Sequence, residues 1–422
     1  MKIEILCTGD EILTGKTINT NYSHIARRLV ESGFKVHWGT TVGDDRPCLL
    51  SAFLQASERA DAVIVNGGLG PTVDDLSQEV AAEAAGVALE LHQSWFDRME
   101  AWYASRGRKM PSNNLKQAML PAGAEFIDNP IGTACGFAIT INQARFFFTP
   151  GVPREMRRML EEQLVPRLEE MRGYHQVTLV KRFHSFGIGE SRADQMLDGV
   201  EEMVGDGSVK LGFQSHYPQL ETKLTVQGES LEEIKPKLLP VEAEVRQRLG
   251  NFVVAEDNLT LEGQVVAALD RINGSIAVME MHSSGNVISR LMQVASDPSI
   301  IGTGIVSTNL SELVSAIGLD QDANATFSVD AALRLASSLR EFAGTTHALV
   351  ALTKPIDTGS GNEPSTDLLI AISDGKNPAT REGRLPGSRE WRLLGTTELA
   401  LDCVRRYLLN LPVFERIDFE QH

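Results

Sequence analysis

Residues 62–66 (AVIVN) form a continuous apolar run that ends on Gly67, Gly68 and Gly70. A strand without polar alternation has to be covered on both faces, and such strands belong to parallel sheets flanked by helices. The surrounding sequence repeats the pattern. Lys2–Cys7 reads as a strand closed by the turn Thr8–Gly9–Asp10. Asn19–Gly33 has helical spacing, with Ile25, Leu29 and Val30 on one face. Lys35–Val42 reads as a strand, Arg46–Arg59 as a helix, and a further helix is expected from about Asp74. Phe126–Ile127, Gly136–Ile141 and Phe146–Thr149 are expected strands, followed by the turn Pro150–Pro153 and a charged helix Arg154–Met171. Alternating β and α elements predict an α/β, three-layer domain with a mostly parallel sheet. Ligands in such domains bind beyond the C-terminal strand ends.

At 422 residues the chain exceeds one ordinary core, so several domains are expected. The first spans residues 1–171. A small α+β module follows over 172–255, with strands Val177–Phe186, Val209–Gln214 and Leu220–Gln227 and a helix Leu231–Leu249. A third α/β unit spans 256–412, beginning with helix Leu261–Ile272 and strand Ser275–Met281. Lys354–Arg389 is rich in Gly, Pro and Ser and is expected to hold a long loop, and the polar tail 413–422 is expected to fray.

The formal charge of −16 disfavours nonspecific nucleic-acid binding, because the chain repels a phosphate backbone. No apolar run approaches the roughly 18 residues that span a bilayer, and the N-terminus carries no signal-peptide pattern, so no membrane partner is expected. The four cysteines match no zinc or disulfide framework, which points to a reducing cytoplasm.

The densest chemical signal is NGGLGPTVDD at Asn66–Asp75. Glycines let the backbone approach a ligand, exposed amides and a helix N-terminus suit an anion, and adjacent carboxylates suit a hard cation bridging to phosphate. A tight turn with Asp74 and Asp75 capping a helix would use the same residues. Thr8–Glu11, Asn129–Ala134 and Thr149–Pro153 supply further loops, two of them after expected strands and therefore on the same rim. Asp10 or Glu11 is a candidate additional metal ligand.

The segments TGDEI at Thr8–Ile12, VGDD at Val42–Asp45, NGGLGPTVDD at Asn66–Asp75, NPIGTACGF at Asn129–Phe137 and TPGVP at Thr149–Pro153 resemble the molybdopterin-binding-like domain of the CinA family. The resemblance implies metal-dependent hydrolysis of ADP-ribose to AMP and ribose 5-phosphate, a KH-like middle module, and a C-terminal domain that deamidates nicotinamide mononucleotide. It implies a divalent metal, Mg²⁺ or Co²⁺, with K⁺ as a further cofactor, a small nucleotide or pterin ligand, and a homodimer. Carried onto this sequence, Asp10, Asp44 and Asp74 hold metal, and Asp74, Asp75 and Lys116 are catalytic, with Lys116 offsetting charge on the leaving phosphate. Asn66, Gly67, Gly68, Gly70 and Thr72 cradle the diphosphate. Gly9, Asn114, Gln117, Asn129, Gly132, Thr133 and Gly151 line the rest of the substrate site.

The third unit departs from the family. Where the family reads Glu-Ser-Cys-Thr-Gly-Gly with a serine nucleophile, this chain has Glu280-Met281-His282-Ser283-Ser284-Gly285. A thioether has no proton to lose and forms no acyl intermediate. The Tyr-Ser-Asn segment and its following lysine become Thr308–Leu313 without lysine, and the Gly loop becomes Thr353–Thr358. Loss of the deamidase is therefore expected, with Ser283 or Ser284 beside His282 as the alternative nucleophile. The middle module carries ten Lys/Arg against twelve Asp/Glu over residues 171–255, and Gly187–Glu190 lacks the GXXG spacing of an RNA clamp.

Overall fold

The computed structural model describes residues 1–174, 177–320, 325–356 and 363–420. They form two compact units, one of residues 1–179 with 227–234 and one of 180–226 with the rest of the chain from 235.

In the first unit a six-stranded sheet runs in the order β2-β1-β3-β8-β7-β6. The strands are β1 (Ile3–Thr8), β2 (Val36–Val42), β3 (Ala62–Asn66), β6 (Glu125–Ile127), β7 (Gly136–Ile141) and β8 (Ala144–Thr149). A separate pair joins β4 (Leu89–Leu91) and β5 (Met119–Pro121), which the sequence pattern did not signal. The pairs β1–β2, β1–β3 and β3–β8 are parallel, while β6 and β7 run antiparallel at the edge. Every residue of β1 and β3 is buried, as a strand covered on both faces requires. Alternation in β8 divides the phenylalanines: Phe146 and Phe148 pack with Phe53 and Val80 on one face, Phe147 with Leu29 and Met156 on the other. Burying each such ring contributes about 1.5–3 kcal/mol. Helices Arg46–Arg59 and Ser77–Ala85 cover the first face, and Thr20–Glu31 and the helical stretch from Pro153 to Arg172 cover the second. This is the three-layer arrangement expected. Val30 departs from expectation, being exposed beside the buried Ile25 and Leu29. A π-turn at Leu160–Leu164 interrupts the last helix just before Pro166, whose missing N–H breaks the regular ladder.

The second unit holds a four-stranded sheet, β10-β11-β9-β12, from β9 (Val177–Phe186), β10 (Val209–His216), β11 (Gln219–Gly228) and β12 (Val253–Glu256). It also holds a five-stranded sheet, β14-β13-β15-β16-β17. There β13 (Ile276–Met281) lies parallel to β14 (Ile301–Ser307) and β15 (His347–Ile356). The strands β16 (Ser365–Ser373) and β17 (Ala379–Pro386) continue antiparallel.

Two expectations are corrected here. Within Lys354–Arg389, where a long loop is expected, Ser365–Pro386 form the β16–β17 hairpin instead, and residues 357–362 lie outside the described ones. Nor does the tail fray through Glu420. Val413 and Ile417 are buried, and Arg381 grips both Glu420 oxygens at 2.8 Å. Asp418 receives the Gly189 amide at 2.9 Å and Arg192 at 2.6 Å. A composition-based reading sees only the polarity of these residues, not the cations folded beneath them. No helix among the described residues is long and apolar enough to cross a membrane.

Candidate functional site

Because β1, β2, β3 and β8 are parallel, the turns after all four lie at one edge of the sheet. The antiparallel register of β7 brings the loop before Gly136 to the same edge. Together they enclose a cleft of about 500 Å³. Of the residues expected there, Gly9, Asp44, Gly67, Gly68, Gly70, Thr72, Asp74, Asp75, Gln117, Thr133 and Gly151 line it.

The floor is glycine for a steric reason. Gly67 and Gly68 have φ of +112° and +69°, and a Cβ on Gly67 would sit 2.6 Å from Thr8 Oγ1. That buried hydroxyl has no hydrogen-bond partner. The Gly67 amide is spent on the Thr149 carbonyl at 3.0 Å, and among the described residues nothing accepts from the amides of Gly68, Leu69 or Gly70. A bare hydroxyl and bare amides in a concave turn make an anion cradle. Asn66 lies beneath it, buried. Its side chain donates to Thr149 Oγ1 at 3.1 Å and to the Pro150 carbonyl at 2.7 Å. Asn66 thus braces the turns rather than lining the cleft.

The expected helix at Asp74 begins only at Ser77, with Leu76 as a cap that makes no side-chain bond. Asp75 is occupied locally, its Oδ2 accepting the Thr72 amide at 2.9 Å and the Thr72 hydroxyl. It shapes the loop, while Asp74 lines the cleft without such a partner.

Asp10 and Asp44 are cross-linked through their backbones. The Asp10 amide donates to Asp44 Oδ2 at 3.2 Å and the Asp44 amide to Asp10 Oδ1 at 3.3 Å. Burial, opposed in part by the Asp10 amide, raises the Asp44 carboxyl above its usual range, and the charges of Asp10, Glu11 and Asp74 push the same way. Yet among the described residues no three His, Cys, Asp or Glu side chains are grouped to hold a metal ion. The expected three-carboxylate set of Asp10, Asp44 and Asp74 is therefore not assembled, and Asp10 does not line the cleft. The donors fit a smaller role. Mg²⁺ retains waters and is commonly held by one or two carboxylates plus phosphate oxygens, a number that Asp44 and Asp74 on the cleft wall could supply.

The remaining expected residues support the wall. Lys116 faces an adjoining groove, with Nζ 3.2 Å from the Thr72 carbonyl and 3.3 Å from Glu79. It anchors the loop instead of reaching into the cleft. Asn114 donates to Gln117 at 2.8 Å, and Gln117 donates to the Leu69 carbonyl at 3.2 Å. Asn129 donates to the Ala134 carbonyl and to Glu155, both at 2.8 Å, and accepts the Gly132 amide at 3.1 Å. A Cβ on Gly132 would meet Glu155 at 2.1 Å. Trp95 Nε1 holds the Thr133 carbonyl at 3.0 Å. Thr8 and Glu155 were overlooked in the sequence, although each stands in or beside a recognised motif.

In the second unit, Met281 ends β13 and is buried. Ser283 is committed to the buried Glu280 carboxylate, which also accepts the amides of Val287 at 3.1 Å and Ile288 at 2.8 Å. Glu280 thereby caps the helix Asn286–Val294. Neither Ser283 nor Ser284 is hydrogen-bonded to His282 among the described residues. His282 and Ser284 border a pocket of about 330 Å³ with Thr353, Arg389 and Arg392. Of the altered Gly loop, Asp357 and Thr358 lie outside the described residues.

Residues 4–170 match the family model described as a probable molybdopterin binding domain, and residues 180–255 match the damage-inducible protein CinA KH domain. A CinA-like protein of Shewanella woodyi is 38% identical over 378 residues, covering 88% of either chain. The chain belongs to the CinA family. A second CinA-like protein, from Shewanella loihica, is 35% identical over 428 residues, covering 100% of this chain and 99% of that one. A solved CinA structure from Thermoplasma acidophilum is 32% identical, with a TM-score of 0.35, covering 40% of this chain and 96% of its own. The cleft of this CinA-like protein lies within the molybdopterin-binding-like segment, and in the KH segment the Gly187–Glu190 turn is held by Asp418.

Proposed function

We propose that residues 1–171 hydrolyse a nucleotide diphosphate sugar such as ADP-ribose to AMP and ribose 5-phosphate. The observation that carries this reading is the meeting of the bare-amide loop Gly68–Gly70 with Asp44, Asp74 and Glu11 in one cleft. The amides and Thr8 bind the diphosphate oxygens. Asp74, whose side chain has no hydrogen-bond partner among the described residues, takes a proton from the attacking water as the water oxygen bonds to one phosphorus. The bridging P–O bond breaks, and its electron pair leaves with the second phosphate. Asp44 and Asp74 would hold a divalent cation, Mg²⁺ or Co²⁺, whose chemistry is to neutralise the phosphate charge. K⁺ is a further candidate cofactor. Lys116 and Asp75 act by fixing Thr72 and the loop.

In this reading residues 172–255 connect, and residues 256–412 serve packing and homodimer formation in the cytoplasm, with the deamidase lost. The commitment of Ser283 to Glu280 supports that loss. A second reading, a pterin or nucleotide holder without turnover, is favoured by the lack of a preassembled metal group among the described residues.

Incubation with ADP-ribose and Mg²⁺ or Co²⁺ should release AMP above a metal-free control, and Asp74→Asn should abolish the release. Tight ADP-ribose binding without AMP would favour the holder. Ammonia release from nicotinamide mononucleotide, abolished by Ser283→Ala or Ser284→Ala, would overturn the lost deamidase.

A further inference from the structure

Beside the cleft lies a second groove of about 400 Å³, sharing Pro71 and Thr72 with it. Its walls are the Pro71–Val73 loop and the short helical turn Ser112–Ala118, tied together by Asn113 on the Pro71 carbonyl at 3.2 Å and Lys116 on the Thr72 carbonyl at 3.2 Å. The lining is largely apolar: Val73, Leu89, Leu115 and Met119. Val73 is 85% exposed and Leu115 42%, an unusual display of apolar surface at the mouth of a site. On the lining stands Gln78, from the helix Ser77–Ala85. It is only 1% exposed, yet both Nε2 and Oε1 lack any hydrogen-bond partner.

A buried carboxamide left unpaired on both atoms is costly, and such groups are normally satisfied. Here the unpaired donor and acceptor belong to one residue that lines the groove. A flat ring presenting one donor and one acceptor on neighbouring edge atoms would satisfy both at once, as glutamine does with adenine. The geometry points to this groove as the seat of the ligand's fused heterocycle, with its ring between Val73 and Leu115 and its edge on Gln78. A purine base and a pterin share that chemistry. The inference deepens the nucleotide reading of the neighbouring cleft and rests on it for the phosphate end of the ligand. The shared wall at Pro71–Thr72 lets one molecule span both.

Calorimetry on the full chain with ADP, GDP, neopterin and inorganic pyrophosphate tests the assignment. Gln78→Leu should weaken the ligand that carries the favoured ring by about 10- to 100-fold while pyrophosphate affinity stays unchanged. Val73→Ser, at an exposed position that does not threaten folding, should weaken the same ligand and spare pyrophosphate. Preference for ADP or GDP over neopterin identifies a nucleobase, and the reverse a pterin. Unchanged affinity of ADP, GDP and neopterin in both variants overturns the groove assignment and leaves the phosphate cleft standing. Ring-dependent, Gln78-sensitive binding without any pyrophosphate binding upholds the groove and sinks the phosphate cradle. No binding of any of the four overturns both.

Discussion

The Asn66 side chain, at the end of β3, donates to the Pro150 carbonyl, beyond the end of β8, at 2.7 Å. That bond sets the distance between the glycine loop and the Gly151 turn, and the amide of Asn21 closes the arrangement by donating to Asn66 Oδ1 at 2.9 Å. Asn66→Ala should cost about 1–3 kcal/mol, since it removes the donor to the buried Pro150 carbonyl and one of the two acceptors of the Asn21 amide, which keeps the Gly151 carbonyl at 2.7 Å. Thermal denaturation checks the cost, and pyrophosphate affinity should fall with it. A variant of undiminished stability and affinity would remove Asn66 from this role.

Gly67→Ala tests the cradle floor. At φ +112° an L side chain is strained, and its Cβ would lie 3.0 Å from the Thr8 carbonyl as well as against the hydroxyl. We expect a loss of about 1–3 kcal/mol and weakened pyrophosphate binding. Gly86→Ala, also at positive φ but with open space around it, should show the strain without the binding defect. Paired titrations of the two variants read the difference.

The Asp44 carboxyl is raised by burial and like charge above the ordinary aspartate range. The folded chain therefore holds this proton more tightly than the unfolded chain. The resulting penalty is absent below the unfolded value and grows as pH rises through the folded one. Asp44→Asn should raise stability near neutral pH, with the gain fading toward acid pH as the unfolded carboxyl becomes protonated. Melting temperature against pH for both proteins gives the comparison. Mg²⁺ should raise the wild-type melting temperature more than that of the variant.

Asp402 is 1% exposed and is the carboxylate between two buried arginines, Arg405 at 2.7 Å and Arg406 at 2.6 Å. Asp402→Ala leaves the buried Arg405 without a carboxylate and Arg406 with Glu415 alone, and should cost about 3–5 kcal/mol. The cleft of the first unit should keep its pyrophosphate affinity. Denaturant titration followed by pyrophosphate calorimetry separates the two effects.

Much of the first unit was legible before any coordinates. The helix Arg46–Arg59 falls where its spacing predicts, because Asp45 caps it and Pro47 suits its first turn. The run Ala62–Asn66 announces a strand covered on both faces, and the five loop motifs mark the rim. The β4–β5 pair was not legible, since strands this short carry too few residues for a period to register. Ser365–Pro386 misled because Gly, Pro and Ser punctuate the segment around it, while cross-strand pairing decides its conformation.

Local chemistry along the chain determined which turns can approach a ligand and which residues can carry charge there. It also determined that a thioether, with no proton to lose, follows Glu280, which is a matter of side-chain identity at Met281 alone. Only the tertiary structure decided which polar groups remain free. Asp75 and Ser283 are consumed by neighbours, Lys116 turns to the adjoining groove, and Gln78 stays unpaired. The tail docks for the same reason. Hydrogen bonds form between groups that folding makes adjacent, and residues such as Arg381 and Glu420 stand 39 apart in sequence.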